Sequence, residues 1–310
     1  MNSLLLDDLR CCDCQSKLKK SKIIKDERGQ VISGELACQS CAKIFPVIDK
    51  IPRFVSSDDY LASFSFEWEK HSRTQLEIDI DQTEKLFYQE LGIKKHELQN
   101  INVLDAGIGP GRYAFVPIKE GSILHGIDMS NAINQASKNY KDSSNVMLSQ
   151  ADLQKLPYPE EYFDFIYSIG VLHHTPSPRA SFLSLIPYLK PGGSISIVLY
   201  NKGALLYECS KRWRKYTSRF NTKFLYIICW LASLFLYPIY KLPILKLLIY
   251  YLPIDMHKKF EWRVLNTFDA YSPKYASTHT WSDVYEWFKE AGLRDIKLQD
   301  TDSICIRGWK

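Results

Sequence analysis

Val103-Leu104-Asp105-Ala106-Gly107-Ile108-Gly109-Pro110-Gly111-Arg112 runs an apolar strand into three glycines at alternate positions. Glycines spaced this way build a loop that lets backbone N–H groups approach a ligand, which points to a nucleotide-like cofactor. The spacing is Gly-x-Gly-x-Gly with Asp105 two residues ahead, whereas dinucleotide-binding turns read Gly-x-Gly-x-x-Gly without that acid. A carboxylate beside a pyrophosphate would be repelled, so a phosphate-free, cationic cofactor fits better.

The chain downstream supports that reading. Ser122-Ile123-Leu124-His125-Gly126-Ile127-Asp128 reads as a second strand ending in an acid, where such folds hold ribose hydroxyls. Val146-Met147-Leu148-Ser149-Gln150-Ala151-Asp152 is a third, also ending in an acid, and Leu156-Pro157-Tyr158 turns away. Residues 162–174 supply a fourth strand and its exit, closing on His173 and His174. A helix over 177–189 is stopped by Lys190-Pro191-Gly192-Gly193, and 194–200 is a strongly β-prone fifth strand. Strands alternating with helices predict a parallel α/β sheet.

The series DAGIGPGR, GIDMS, ADLQKLPY, FDFIYSIGVLHH and LKPGGSISIVLY, in that order, resembles the class I S-adenosylmethionine-dependent methyltransferases (type 11-like) over residues 100–200. The resemblance implies a Rossmann-like sheet of seven strands. It implies that Asp105, Gly107, Gly109 and Gly111 surround the methionine part of S-adenosylmethionine, with Asp128 on the ribose and Asp152 beside the adenine amine. Arg112, Met129, Leu153 and Ser168 fall in the same cofactor site. For Asp128 and Asp152 the alternative is a solvated strand end or a helix cap. Near the carboxyl end, Thr280-Trp281-Ser282-Asp283 resembles a capping box, with Val284, Trp287 and Phe288 at helical spacing and Gly292 as the stop. Two short strands follow, at 295–299 and 303–306, which in the family form a hairpin whose final strand is antiparallel.

At the other end Cys11-x-x-Cys14 and Cys38-x-x-Cys41 have the spacing of a four-thiolate zinc ribbon. A segment so poor in apolar residues cannot bury a core of its own, so structural Zn²⁺ would supply its folding energy. Cys12 could replace Cys11 by register. The sequence from Leu36 to Phe54 is similar to the Trm112-like ribbon family, whose members activate or stabilise methyltransferases. Four thiolates leave no open position for catalysis. Charges nearly balance over 1–56, so the ribbon lacks the footprint of a nucleic-acid reader.

Phe64-Ser65-Phe66-Glu67-Trp68 resembles the Phe-x-x-Glu-Trp segment that precedes the core in ribbon-bearing methyltransferases of biosynthesis. There it would fold over the cofactor mouth, Trp68 shielding the sulfonium and Glu67 or Arg73 gripping polar ends. An amphipathic helix packing Phe64, Phe66 and Trp68 on the core is the other reading.

The domain organisation is therefore a ribbon over 1–56, linker and cofactor-lid helices over 57–98, and a methyltransferase core over 99–200 and 271–310, interrupted by a helical insertion over 201–270. The insertion begins basic and aromatic, with Lys211, Arg212, Arg214, Lys215 and Arg219 around Trp213 and Tyr216. From 224 to 254 it is almost wholly apolar and broken by Pro238, Pro243 and Pro253. Two crossings of a bilayer need about 40 apolar residues, so the segment is not expected to span. It is expected either to lie in a membrane interface as a peripheral contact over 202–254, or to close a large apolar pocket. Both predict a small hydrophobic or lipid-linked acceptor.

A sulfonium already carries a good leaving group, so the protein aligns the acceptor and takes its proton. His173 and His174 are the candidates, with His279, Tyr271 and Tyr275 weaker. The Asn/Asp-Pro-Pro-Tyr motif of amino-directed enzymes is absent at 168–171, and Cys209 and Cys229 sit in the insertion, away from the core loops; oxygen is the preferred acceptor atom. An RNA methyltransferase with zinc-ribbon recognition and a noncatalytic cofactor-binding partner protein are the alternatives. Nucleic acid is not expected, because the +5 net charge of the 310 residues is concentrated in the insertion. Residues 1–9 are too short and acidic for a secretory signal, so a cytoplasmic chain, resting on the inner face of the plasma membrane, is expected.

Overall fold

Two sheets and eight helices account for the residues described by the computed structural model, which are 5–27, 29–55, 66, 67, 70, 80–301 and 303–310. Phe64, Trp68 and Arg73 lie outside them. The first sheet is antiparallel, β1 (Leu18–Lys25), β2 (Val31–Cys38), β3 (Ile44–Ile48) and β4 (Ile51–Pro52) in sequence order. Helix α1 (Ile80–Leu91) leads into β5 (Asn102–Ala106), then α2 (Phe115–Lys119), β6 (Ile123–Asp128), α3 (Ile133–Asn139), β7 (Val146–Gln150) and β8 (Phe163–Ile169). The chain continues through α4 (Pro178–Leu183), β9 (Leu189–Leu199), α5 (Leu205–Thr217), α6 (Thr222–Ile239), α7 (Phe260–Tyr271), α8 (Trp281–Glu290), β10 (Arg294–Leu298) and β11 (Ile304–Trp309).

The second sheet has seven strands in the order β10-β11-β9-β8-β5-β6-β7, with β11 antiparallel to both neighbours and the β5–β9 set parallel. Its central strands are buried on both faces, which is why they read as continuous apolar runs. The order reverses between β5 and β8, and the carboxyl ends of those strands open the crevice where ligands of such sheets bind. The predicted capping box is formed at α8: Thr280 Oγ1 accepts from Asp283 N at 3.2 Å and Asp283 Oδ2 from Thr280 N at 3.0 Å.

Two local expectations are corrected. The helix expected over 177–189 is α4 followed by a separate 3₁₀ turn, Ile186–Tyr188, because Pro187 cannot continue the hydrogen-bond ladder. Lys190-Pro191-Gly192-Gly193 is not a stop but part of β9, where the pairing jumps from Phe163↔Leu189 to Phe165↔Ser194 and the intervening residues bulge.

The ribbon has no separate core. Leu9, Val31, Leu36, Phe45 and Phe54 pack in one cluster with Leu156 and Tyr158 of the β7–β8 connection and Phe163 of β8. Polar contacts fix the seat: Arg53 donates to Gln150 Oε1 at 2.9 Å and Asn134 Oδ1 at 2.6 Å, and Tyr162 Oη to Asp8 Oδ2 at 2.7 Å. The ribbon thus covers the β7 edge of the sheet.

Within the insertion, α5 and α6 both pack on α7. Two buried arginines tie the three together. Arg214 of α5 donates to Ala270 O and Ala276 O, both at 3.0 Å, and Arg263 of α7 to Ser233 O of α6 at 3.1 Å while lying 3.6 Å over the Tyr237 ring. Arg214 therefore belongs to the interior and not to the exposed basic cluster read from the sequence, since the carbonyl of Ala270 at the end of α7 and that of Ala276 in the segment after it take their donors from it. Replacing Arg214 by Met leaves those carbonyls unmet, at a cost of about 1–3 kcal/mol. Limited proteolysis is expected to accelerate within 205–271 while the ribbon and sheet stay resistant; unchanged cleavage would contradict this role.

Candidate active site

The turn after β5 is held open by close packing. Gly107 has φ +98° and a Cβ there would lie 2.4 Å from Val171 Cγ2, so only glycine fits. Gly111 answers a different neighbour: its φ is +88°, a Cβ would meet the Tyr140 ring at 2.6 Å, and it does not line the cavity. Tyr140 Oη and Asn139 Nδ2 fix the loop from α3 by donating to Gly111 O and Pro110 O at 2.7 and 2.8 Å.

A cavity of about 500 Å³ opens over this turn. Asp105, Gly107, Gly109 and Arg112 line it from the β5 side, and Asp128, Met129, Asp152 and Leu153 from β6 and β7. Asp128 is held by three donors, Gly109 N at 2.9 Å, Ser130 N at 2.7 Å and Ser130 Oγ at 2.6 Å. Oδ1 takes both Ser130 donors, so Oδ2, which accepts only from the Gly109 amide, keeps acceptor capacity for a hydroxyl from a ligand. Ser168 is elsewhere: its Oγ donates to Ala106 O at 2.7 Å beneath the turn and takes no part in the cavity wall.

The electrostatics are lopsided. Among the described residues, five carboxyls, Glu67, Asp105, Asp128, Asp152 and Asp269, line the cavity together with one guanidinium, Arg112. Burial, reinforced by the Asp128 charge, pushes the Asp105 carboxyl up to about 7 against a 2.8 Å hydrogen bond from Tyr167 Oη. Burial raises Asp128 as well, against the hydrogen bonds from Ser130 and Gly109.

The insertion builds the far wall. Trp262, Asn266 and Asp269 recur along one face of α7, and Tyr200 and Tyr207 stack with ring centroids 3.7 Å apart beside them. Asp269 Oδ2 accepts from Tyr200 Oη at 2.6 Å, and its Oδ1 lies 3.7 Å from His174 Nε2. His174 Nδ1 is 3.0 Å from the Tyr275 carbonyl, an acceptor only, so Nδ1 holds the proton and Nε2 the lone pair of the neutral ring. Burial lowers the pKa of His174 and keeps it neutral near pH 7, with the Asp269 charge opposing.

The other proton-accepting candidates are placed differently. His173 is fully buried outside the cavity, packed under the Tyr200 ring at 3.7 Å. His279 bonds Ser277 Oγ at 2.8 Å and packs on Trp287, and Tyr271 Oη donates to Pro253 O at 2.8 Å. Asp269, Tyr200, Tyr207 and Trp262 are cavity residues that the sequence reading missed. The signal available for Trp262 and Asp269 was their seven-residue separation, two turns of one helix face.

In the ribbon the Sγ atoms of Cys11, Cys14, Cys38 and Cys41 all lie within 4.8 Å of one another, with Cys14 to Cys38 at 3.4 Å and Cys11 to Cys41 at 3.6 Å. A tetrahedral site with Zn–S of about 2.3 Å has edges of about 3.8 Å, so the four sulfurs are spaced to hold a metal. Cys12 is not in the cluster. Backbone N–H groups of Ser40 and Cys41 point at Cys38 Sγ at 3.4 Å, which favours its thiolate.

Comparison with known proteins places this geometry. Residues 104–197 match the family described as "Methyltransferase domain". A ubiquinone biosynthesis O-methyltransferase of Coxiella burnetii is 29% identical over 112 residues, covering 36% of this chain and 48% of that protein. A sterol 24-C-methyltransferase of Pneumocystis carinii is 32% identical over 119 residues, 36% of this chain and 30% of that one. The chain thus spans half or less of the length of these curated relatives. Among solved structures, magnesium protoporphyrin IX methyltransferase from Synechocystis PCC 6803 aligns over 81% of this chain and 97% of its own, at 15% identity and a TM-score of 0.49. The stretch that matches the methyltransferase family model covers the five parallel strands, β5 to β9, of the seven-stranded Rossmann-like sheet.

Proposed function

We propose that the protein transfers a methyl group from S-adenosylmethionine to an oxygen of a hydrophobic or lipid-linked biosynthetic intermediate. The observation that carries the reading is the insertion: α7 walls the cavity with one face, while α6, packed behind it, leaves its apolar side open. Of 26 large apolar side chains exposed among the described residues, 20 lie between 205 and 256. Phe224, Ile227, Leu231, Leu234 and Phe235 line α6, and Ile244 and Leu247 follow in the next turns.

The donor set suits the cofactor. S-Adenosylmethionine carries an ammonium and a sulfonium against one carboxylate, a net cation for a cavity with five carboxyls and one guanidinium. When bound it supplies an electrophilic methyl group with a neutral leaving thioether. Asp128 would take the ribose hydroxyls and Asp152 the adenine amine, with the turn at Gly107 and Gly109 leaving room for the methionine part. His174 Nε2 takes the acceptor proton, and Asp269 at 3.7 Å stabilises the imidazolium that results. The stacked tyrosines and Trp262 exclude water and present an apolar wall to the acceptor.

The exposed face of the insertion would rest on a membrane. Helix α6 is 18 residues long and by length and composition could cross a bilayer, with 17% of it buried. Its buried stripe, Leu225, Cys229 and Ser233, belongs to the interior that also holds Phe268 of α7, which favours a helix lying along the surface of the bilayer. Lys211, Lys215, Arg219, Lys223, Lys241 and Lys246 of the insertion are exposed and would meet anionic headgroups. The chain would then work at the cytoplasmic, inner face of the plasma membrane. The ribbon would hold one structural Zn²⁺ on Cys11, Cys14, Cys38 and Cys41, a Trm112-like module fused in cis.

Three outcomes follow. In calorimetric titration, Asp128→Ala is expected to weaken S-adenosylmethionine binding by about tenfold through loss of a charge-assisted hydrogen bond at Oδ2, and unchanged affinity would remove the ribose assignment. Elemental analysis should find one zinc per chain, lost with a large drop in melting temperature in Cys14→Ser; a folded, metal-free wild type would refute the ribbon's metal. In flotation, the wild type should rise with vesicles containing phosphatidylglycerol, and a Leu234→Asp, Phe235→Asp, Leu247→Asp variant should stay at the bottom. A wild type that ignores such vesicles would leave the pocket-closing role alone.

A further inference from the structure

Two carboxyls of the cavity have no place in the cofactor contacts assigned above. Glu67 is 2% exposed, lines the cavity, and its Oε2 has no hydrogen-bond partner among the described residues. Asp269 faces the same space from α7, its Oδ2 taken by Tyr200 Oη. No lysine or arginine among the described residues forms an ion pair with either one. Arg214, the nearby buried cation, spends two nitrogens on Ala270 O and Ala276 O, and Arg112 lies over the rings of Tyr113 and Trp262.

We infer that Glu67 and Asp269 form a paired-carboxyl subsite that reads the positive charge of the cofactor's sulfonium, holding the methyl donor in preference to its neutral demethylated product. The inference rests on the methyltransferase reading and adds the insertion to the cofactor site. Asp269 stands at the reacting end, because its Oδ1 is 3.7 Å from the nitrogen of His174 that takes the proton. A sulfonium must sit at that end for its methyl to face the acceptor. It has no N–H to donate and cannot lose its charge, so what holds it is Coulomb attraction, which is strong where water is excluded. Burial and the nearby Asp269 charge hold the Glu67 carboxyl well above the usual range in the absence of a cation, a repulsion that a fixed positive charge relieves. Once the methyl has left, the thioether is neutral and the attraction is gone, which favours product release.

The test is calorimetric titration of the full chain, wild type and the isosteric variants Glu67→Gln and Asp269→Asn, with three probes. These are S-adenosylmethionine, S-adenosylhomocysteine, and sinefungin, whose ammonium replaces the sulfonium. Each variant is expected to weaken the two cationic probes by about tenfold while S-adenosylhomocysteine changes by less than about twofold. Melting curves and zinc content establish that a variant is folded, and either variant alone suffices for the comparison. Equal losses for all three probes would overturn the inference, pointing to the shared amino-acid portion. No loss for any probe would overturn it too, leaving the pair to a cationic acceptor or to packing. A folded wild type that binds none of the probes would instead bring down the methyltransferase reading beneath it.

Discussion

Five carboxyls that, among the described residues, surround one cavity with a single guanidinium form the constraint on which the rest of the structure depends. Like charges gathered out of water are costly, and the groups respond as expected: Glu67, Asp105 and Asp128 are all raised by burial. The sheet tolerates this because the carboxyls come from separate elements, each locked by neighbours. Tyr167 holds Asp105, Ser130 and the Gly109 amide hold Asp128, and Tyr200 holds Asp269. The repulsion is therefore stored in a rigid frame, and a cationic ligand relieves it without rearrangement.

The insertion links that frame to the outside. Helix α7 contributes Trp262 and Asp269 to the cavity, is fixed through its carbonyls by Arg214, and holds α6 through Arg263. A buried arginine thus joins the helix that bears the apolar face to the helix that walls the cavity. The ribbon does comparable work at the opposite edge, where its apolar residues complete the core beneath β7 and its turns bring the four cysteine sulfurs together.

Much of this was legible in the sequence because it depends on local chemistry. The strand and glycine turn at 103–111, the acids ending β6 and following β7, the Thr280–Asp283 capping box and the paired cysteines each announce themselves within a few residues. What escaped depends on tertiary placement. Gly111 is a glycine for the sake of Tyr140, not of a ligand, and Arg214 sits in a basic run yet turns inward to meet carbonyls. His173 and His174 are adjacent in sequence, but a tight 3₁₀ turn sends one under Tyr200 and the other to the cavity. Asp269 lies about 100 residues beyond them in a segment whose composition spoke of lipid, so nothing local marked it as part of the site.

The most direct measurement is the proton balance of cofactor binding, obtained by titrating the protein with S-adenosylmethionine near pH 7 in two buffers of different ionisation enthalpy. Asp105 is pushed up to about 7, and burial with the Asp269 charge raises Glu67 well above the usual carboxylate range, so these are the groups expected to exchange protons when a cation enters. A cation entering it lowers both pKa values, and the account predicts binding with net proton release to the buffer. Binding with no proton exchange, or with proton uptake, would contradict the claim that an excess of carboxyls is what the cavity offers a cationic cofactor.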